Sequence, residues 1–559
     1  MKKTNLLILL SFLTLNLFAW EGEGTLEKPY KISSPQDLIE LSNSSEYYEG
    51  VYFVQTQEID MQDVDDFRSI GCKSGGFKGF YDGQNFKIKN LKVSKGYAPG
   101  LGGGWTHSAL FGDVRNGIIK NVHIAGDSRF EGYNHIASIV AECTNTEIRN
   151  CTSSAVIEAA SGDVGGIVGK GGKIYNCKFT GSITALGTYS SYIGGIVGSI
   201  NGTGEIVNCT NTGTIKGNGY VGGIAGYIQV DGVICDCYNR GSVSSNSDYV
   251  GGIVGHIPMG LVSSAIIEKC HNSGNVKGTN YVGGITGYSA VFINVSGNLG
   301  DVEGTGDFVG GITGRGYAFE SYNKGNVTGN EKVGGIAGIL IDGKNCYSIG
   351  NVSGTERVGG LVGSIDGYSN TLFNSYCVGN VTATGEYVGA VVGFMNTGGL
   401  TNSNEIKNTY WNSDIYAGKG VGNLNNVTAD FQYYPKTTVE LKNNFSITLN
   451  DGGNAWKEDG EDINYGYPIL SNGLYPVSVE KEPSALSNIK VYSFGNQIYI
   501  ANEKHETIKQ VDIFDITGRA LYRNSTVQNV ISLDAPAGIY IVRLITGTEA
   551  KGYKVVLTK

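Results

Sequence analysis

A six-residue motif that returns every 24 to 32 residues constrains this chain more than any other feature. Its clearest copy is Val164-Gly165-Gly166-Ile167-Val168-Gly169, and it starts again at Ile193, Val221, Val250, Val282, Val309, Val333, Val358 and Val388. Two weaker copies come first, at Ser108-Ala109-Leu110-Phe111-Gly112 and Ile136-Ala137-Ser138-Ile139-Val140-Ala141. A second motif sits between the copies, as in Ile206-Val207-Asn208-Cys209-Thr210-Asn211-Thr212-Gly213 and Ile267-Glu268-Lys269-Cys270-His271-Asn272-Ser273-Gly274. Each repeat thus holds three short apolar runs. They are too short for helices, and their β-branched, alternating character makes them strands. The Gly and Asn between them mark turns with positive φ. One such unit cannot bury its apolar face alone, whereas stacked units share an interior. The expected architecture is all-β: a parallel β-helix (β-solenoid) of about eleven coils, followed by a small C-terminal β-sandwich. Propeller blades need about 40 residues, so these repeats are too short for that alternative.

The ten cysteines fit the repeat rather than a disulfide framework. Four residues before the turn glycine of successive repeats (Ala155 in the first) stand Cys151, Cys177, Cys209, Cys237, Cys270, Ser296, Ser321, Cys346 and Ser375. A disulfide partner or thiolate ligand does not tolerate exchange for Ser, whereas a tight interior site for a small side chain does. Cys235 lies outside this series.

The ends read differently. Lys2 and Lys3 precede an apolar run from Leu6 to Phe18, and Ala19 offers a cleavage position, the layout of a secretory signal peptide. Ser34-Pro35-Gln36-Asp37 reads as a helix start, with Leu38, Ile39 and Leu41 on its apolar face, placed to cover the N-terminal end of the solenoid. Trp456 and Gly466-Tyr467-Pro468-Ile469-Leu470 are expected to close the last coil. After a linker at Glu482-Pro483-Ser484 come alternating strands at 489–492, 497–501, 510–515, 538–544 and 553–557, the sandwich pattern. The net charge of -9, with no basic block, argues against nucleic-acid partners.

Two resemblances follow from these residues. The Val-Gly-Gly-Ile-Val-Gly and Asn-Cys-x-Asn-x-Gly patterns resemble the GLUG-motif repeats of bacterial surface proteins. So do the lead-in segments Pro29-Tyr30-Lys31-Ile32 and Phe77-Lys78-Gly79-Phe80-Tyr81-Asp82-Gly83. The C-terminal module resembles the sorting domain of type IX secretion substrates. The matching pieces are Val511-Asp512-Ile513-Phe514-Asp515-Ile516-Thr517-Gly518-Arg519, Gly538-Ile539-Tyr540-Ile541-Val542-Arg543 and Lys554-Val555-Val556-Leu557-Thr558-Lys559. It departs from that family at Ser493-Phe494-Gly495-Asn496, where Pro-Asn-Pro is common. The resemblances imply a Bacteroidota-type source, export, handling by the type IX machinery, and secretion or anchoring at the outer surface. The expected organisation is a signal peptide over 1–19, a cap and first coils over 20–100, the repeat solenoid over 101–412, its closure over 413–480 and the sorting sandwich over 485–559.

Catalytic signatures are sparse. None of the six histidines forms His-Glu-x-x-His, no Gly-x-Ser-x-Gly elbow occurs, and the Gly-Gly repeats lack the Lys-Ser/Thr of a phosphate loop. Asp60, Asp63, Asp65 and Asp66, and Glu458, Asp459, Glu461 and Asp462, lack the alternation of a calcium loop and read as solvated turns. No catalytic residue, metal or cofactor is assigned. The regular candidate is aromatic. The residue before each core motif is Tyr192, Tyr220, Tyr249, Tyr281, Phe308, Lys332, Arg357 and Tyr387. If the motif valine faces inward, its predecessor faces outward, making an exposed ladder whose rings stack on sugar or simply on each other. The leading functional expectation is an adhesin-like, non-enzymatic surface protein binding a glycan or a host or environmental protein. The alternatives are a β-helix polysaccharide lyase or glycoside hydrolase, and a passive stalk. The enzyme reading requires two carboxylates, or a carboxylate and a Lys, within about 10 Å of each other.

Overall fold

The computed structural model describes residues 20–44, 49–72, 75–94, 107–187, 191–229, 232–258, 265–367, 369–396, 404–425 and 431–473 of the repeat region. It also describes 489–557 apart from 495, 503–507, 516–518, 526–529, 537 and 546–549. The segment expected to be a signal peptide, with Ala19, the expected linker at 482–484 and the Ile516-Thr517-Gly518 part of the segment resembling the sorting motif lie outside the described residues. The chain divides into two compact units, Met1–Tyr475 and Pro476–Lys559.

The first unit is a parallel β-solenoid of about 12 turns. One coil shows how the sequence builds it. Its strands are Tyr192–Gly194, Val197–Asn201, Glu205–Val207, Thr210–Asn211 and Thr214–Gly217. The three apolar runs of the sequence are therefore five strands, because two of the runs turn corners. Gly195 and Ile196 break the first run. Asn208, at φ 53°, breaks the second, and Asn150, Asn176, Asn345 and Asn374 hold the same corner elsewhere with positive φ. Each strand pairs in parallel with its counterpart one coil on, for example Tyr192 with Tyr220 and Ile206 with Ile234. The first and fifth strands build one sheet, and the second, third and fourth another.

Inside, three kinds of column run along the axis. The apolar column is represented by Ile206, Ile234, Ile267 and Ile293, all buried. The thiol column confirms the Cys/Ser exchange and gives its reason. All ten cysteines are free. Cys209 Sγ donates to the Val207 carbonyl at 3.4 Å, and Ser296 Oγ donates to the Asn294 carbonyl at 2.8 Å. The same atom accepts from the preceding coil: the Cys177 N–H donates to Cys209 Sγ at 3.4 Å, and the Cys270 N–H to Ser296 Oγ at 3.2 Å. A small side chain carrying one donor and one acceptor is what the site requires, and both residues supply it. Cys235 is the exception: its partly exposed thiol donates to Asp236 Oδ2 at 3.2 Å.

The third column is an amide ladder. Asn211, Asn239, Asn272 and Asn298 are buried, and each Nδ2 donates to the Oδ1 of the next coil's Asn at 2.7–2.8 Å, ending at Asn323. Each Nδ2 also donates to the carbonyl of the glycine two residues on. The sequence motif thus holds two asparagines with different work: Asn208 turns a corner and Asn211 satisfies the interior. The second glycine of Gly-Gly makes room for this column. A Cβ on Gly223 would lie 2.4 Å from Asn239 Cγ, and one on Gly252 2.4 Å from Asn272 Cγ.

The N-terminal helix, Pro35–Asn43, starts where the sequence indicates. Ser34 accepts from the Asp37 N–H, while Asp37 reaches back to the Ser33 N–H at 2.7 Å. Leu38 and Leu41 are buried in the solenoid core. The other end differs from expectation. Tyr416, Phe431 and Tyr433 pack on Trp411 and Val421 at the final coils. Trp456 and Leu470 instead lie on the flank, with Leu441, Phe445 and Leu449, covering a buried stack of Tyr322, Tyr347 and Tyr376. Tyr376 Oη donates to the Pro468 carbonyl at 2.6 Å, and Lys324 Nζ to the Ile463 carbonyl at 2.7 Å. This segment straps several coils together because their tyrosines leave an apolar face that a polar flank would not. Asp459 and Glu458 cap its turns, accepting from the Ile463, Asn464 and Ser446 N–H groups.

The second unit is antiparallel, with sheets of three and four strands. Ile498, Ile500 and Ile531 of one sheet pack with Val511, Ile513, Val542, Leu544 and Val555 of the other. All five strands expected from the sequence are present; Ala520–Asn524 and Val530–Ser532 are additional.

Candidate functional site

The last glycine of each core motif shapes the solenoid's most distinctive outer surface. A Cβ on Gly226 would lie 2.2 Å from the Ile193 N, and one on Gly255 2.7 Å from the Val221 N. Glycine lets the second strand of a coil run this close to the first strand of the coil before, and Ala141 is the one larger residue at this position in the copies from Ile136 on. Two outward columns become neighbours as a result. One is the residue that opens the first strand, the position read from the sequence. The other is the residue after the last motif glycine, which sequence reasoning did not single out.

Over five coils the columns are aromatic. Tyr192, Tyr220, Tyr249, Tyr281 and Phe308 form the first, and Tyr227, His256 and Tyr288 the second. Their rings contact within and across columns. Tyr249 and Tyr281 stack at 4.8 Å and 6°, Tyr281 and Phe308 at 4.4 Å and 10°, and Tyr192 and Tyr227 at 4.5 Å. Cations end the strip: Lys332 Nζ lies 4.7 Å over the Phe308 ring and Arg315 5.8 Å over Tyr288. Farther on, Arg357 lies 4.7 Å over Phe394, and Tyr387 meets the same ring.

The structure changes the expected picture of an exposed ladder. These aromatics are half-buried, because ring faces cover one another and the second column fills the space beside them. The backbone is also unusual. Tyr249, Tyr281, Phe308, Lys332, Arg357 and Tyr387 all have φ between 52° and 64°. Side chains of this size rarely occupy the left-handed region, at a cost of about 1–2 kcal/mol each. Glycine or asparagine would relieve that cost at every one of these corners.

The same two columns continue toward the N-terminus with different chemistry. Before Tyr192 the first column reads His107, His135, Asp163, paired in register. The second reads Asp113, Glu142, Lys170. Glu142 is the centre. Its Oε2 lies 3.1 Å from His107 Nε2 and 3.9 Å from His135 Nε2, and its Oε1 lies 3.2 Å from Lys170 Nζ. His135 Nδ1 lies 2.9 Å from Asp163 Oδ2. The hydrogen bond with His107, aided by His135 and Lys170, outweighs burial and holds the Glu142 carboxyl down at about 2. By contrast, burial alone lowers His256 to about 4 within the aromatic strip. Burial pushes the column thiols of Cys177, Cys237 and Cys346 up, the last to about 12, which disfavours the reactive thiolate there at neutral pH.

The rule that found Tyr192 to Tyr387 would have found this cluster. His107 and His135 directly precede the two weak motif copies, and Asp163 precedes the first strong one. Glu142 and Lys170 needed the second column, which only the close strand approach creates.

Residues 189–216 match the family described as the GLUG motif, so the chain carries that repeat. Halomucin of Haloquadratum walsbyi is 28% identical over an alignment covering 69% of this chain and 5% of halomucin. The chain therefore corresponds to a small fraction of that relative's length. Among solved structures, one assigned as an immunoglobulin A1 protease of Bacteroides ovatus aligns over 81% of this chain and 94% of its own, with 19% identity and a TM-score of 0.33.

Proposed function

We propose that this is an exported repeat protein, displayed at the cell surface or released, whose aromatic strip binds a carbohydrate. The observation that carries the reading is the strip itself. Three of its bulky side chains, Tyr249, Tyr281 and Phe308, are held in left-handed backbone on successive coils, where glycine or asparagine would be easier. Local strain retained at one surface position is a pointer to function. The mutual stacking of the rings sets the mode. Their faces are occupied, so a sugar meets ring edges and a row of tyrosine hydroxyls that exchange hydrogen bonds with its own hydroxyls. The repeat shared with halomucin supports a surface location. The C-terminal sandwich, with its type IX sorting resemblance, supports that export route and its machinery as a partner.

Binding of the full-length chain to glycan and matrix-protein arrays tests this. Replacing Tyr220, Tyr249 and Tyr281 together by Ala is expected to abolish the signal. The triple Tyr→Phe variant keeps the stacks, melts like the parent, and is expected to lose about tenfold or more in affinity. Undiminished binding by both variants removes the strip from the argument.

The lyase or hydrolase reading meets its distance condition, since Glu142 and Lys170 lie 3.2 Å apart. The Glu142 carboxyl, held down at about 2, does not suit the general-acid role of a hydrolase, which needs a raised pKa.

A further inference from the structure

Above the aromatic strip, the cluster on the first three coils of the columns has a geometry that an ion-pair network does not require. Three candidate ligand atoms, His107 Nε2, His135 Nε2 and a Glu142 carboxylate oxygen, lie within 4.8 Å of one another. Among the described residues this is the one group of three or more His, Cys, Asp or Glu so arranged. Metal–ligand bonds of about 2.0–2.1 Å in a tetrahedron put ligand atoms about 3.3 Å apart. The observed 3.1 Å and 3.9 Å from Glu142 Oε2 to the two imidazoles bracket that value. We infer that His107, His135 and Glu142 form a binding site for one divalent transition-metal ion of the Zn(II) class, with an open fourth position. This site does not depend on what the aromatic strip binds.

Three further features support it. Asp163 Oδ2 lies 2.9 Å from His135 Nδ1, on the side of the ring away from the cluster. A carboxylate beside Nδ1 accompanies most metal-binding histidines; here it is a close charge contact rather than a formed hydrogen bond. The His135 side chain is 6% exposed and that of His107 14%, so the site is sheltered yet reachable. Two imidazoles and one carboxylate with a free position are the donor set of catalytic rather than structural zinc. The opposing charge is Lys170, which holds the other carboxylate oxygen, Oε1, at 3.2 Å. It leaves Oε2 to the histidines, and its partly exposed side chain can turn outward. The nearby Asp113 is already paired with Arg115 at 2.8 Å.

Lys170 makes the proposal sharply testable, because its two possible roles differ in sign. If the cluster were only an ion-pair network, removing Lys170 would weaken it. If the cluster binds a cation, removing Lys170 strengthens the binding. The experiment titrates the full-length, chelator-stripped chain with Zn(II) by calorimetry and with Co(II) by visible absorption. One equivalent is expected to bind with micromolar or better affinity, with a Co(II) ligand-field spectrum lacking a thiolate charge-transfer band. His135→Ala and Glu142→Gln are expected to weaken binding by about a hundredfold, and Asp163→Asn by about 10–100-fold. Lys170→Met is expected to tighten it severalfold. No binding, binding that survives His135→Ala, or a thiolate band would overturn the site. Should the ligand variants fail to fold, Asp163→Asn and Lys170→Met decide, and parent affinity in both overturns it.

Discussion

Within the same coils, the buried columns and the outer columns obey different rules. At the amide position, Asn holds five successive coils from Asn211 to Asn323, preceded by Ser153 and Phe179 and followed by Ser348, Cys377 and Trp411. At the thiol position only Cys, Ser and finally Thr409 occur, and all can donate to the carbonyl two residues back. On the outer columns the residue type varies along the rod: His, Asp, Glu and Lys on the first coils, mostly Tyr, Phe and His256 on the middle ones, and a mixture of Lys332, Arg357, Ser364, Tyr387 and Phe394 beyond. A buried column must satisfy identical donors and acceptors at every level, so its chemistry is confined. An outer column need only fit beside its neighbours, so it can differ from one end of the rod to the other.

The first way to break this comparison is to put an outer-type freedom inside. Asn272→Leu removes the bonds to Asn298 Oδ1 and Gly274 and strips Asn239 Nδ2 of its acceptor. Leaving such groups unpaired in the core is expected to cost about 3 kcal/mol or more, read as a lower unfolding midpoint in denaturant. A cost below about 1 kcal/mol would mean that the ladder is incidental.

A smaller effect is expected from acid. His271 is 2% exposed, and burial lowers it to about 4. The unfolded chain binds its proton near pH 6.5, so between about 6.5 and 4 the unfolded state holds more protons than the folded one. Stability from this group is complete above that window and falls as pH drops through it, by about 2 kcal/mol at pH 5. His271→Phe keeps a ring beside Tyr238 and is expected to flatten the loss between pH 7 and 5. An equal loss in the variant would place the acid sensitivity elsewhere.

On the outer face, Tyr281→Ala removes stacks with Tyr249 and Phe308 and is expected to cost about 1 kcal/mol, less than the interior change one coil before. Relief of the left-handed φ would make Tyr281→Gly the milder of the two truncations, which paired melting curves can check. Smallest of all, Lys277→Ala breaks an exposed pair with Glu303 and should shift stability by less than about 0.5 kcal/mol.

Much of this was legible in the sequence. The period, the inward valines and isoleucines, the interchange of Cys and Ser, the helix start at Ser34 and the strands of the C-terminal sandwich all follow from local pattern. The outward column from Tyr192 to Tyr387 followed from alternation. Its extension to His107, His135 and Asp163 was equally accessible, but their lack of a shared residue type hid it. Asn208 and Asn211 look alike in the motif, and nothing local separates a corner from a buried ladder. Trp456 and Leu470 read as an end cover, because a flank of stacked tyrosines drawn from Tyr322, Tyr347 and Tyr376 exists only after the coils are piled up.

The sequence by itself determined that this chain stacks coils, which positions point in, and which point out. Those properties arise from strand alternation and from a repeat too small to bury its own face. The tertiary structure alone decided which outward positions touch. Glycines such as Gly226 and Gly255 bring the second strand against the first strand of the preceding coil, setting residues about 30 positions apart in the chain side by side. Tyr227 meets Tyr192 for that reason; Glu142 meets His107 across the same strand approach, there with Ala141 at the glycine position, and Lys170 as its register partner one coil on: adjacency along a solenoid is a property of the stack, and no single repeat contains it.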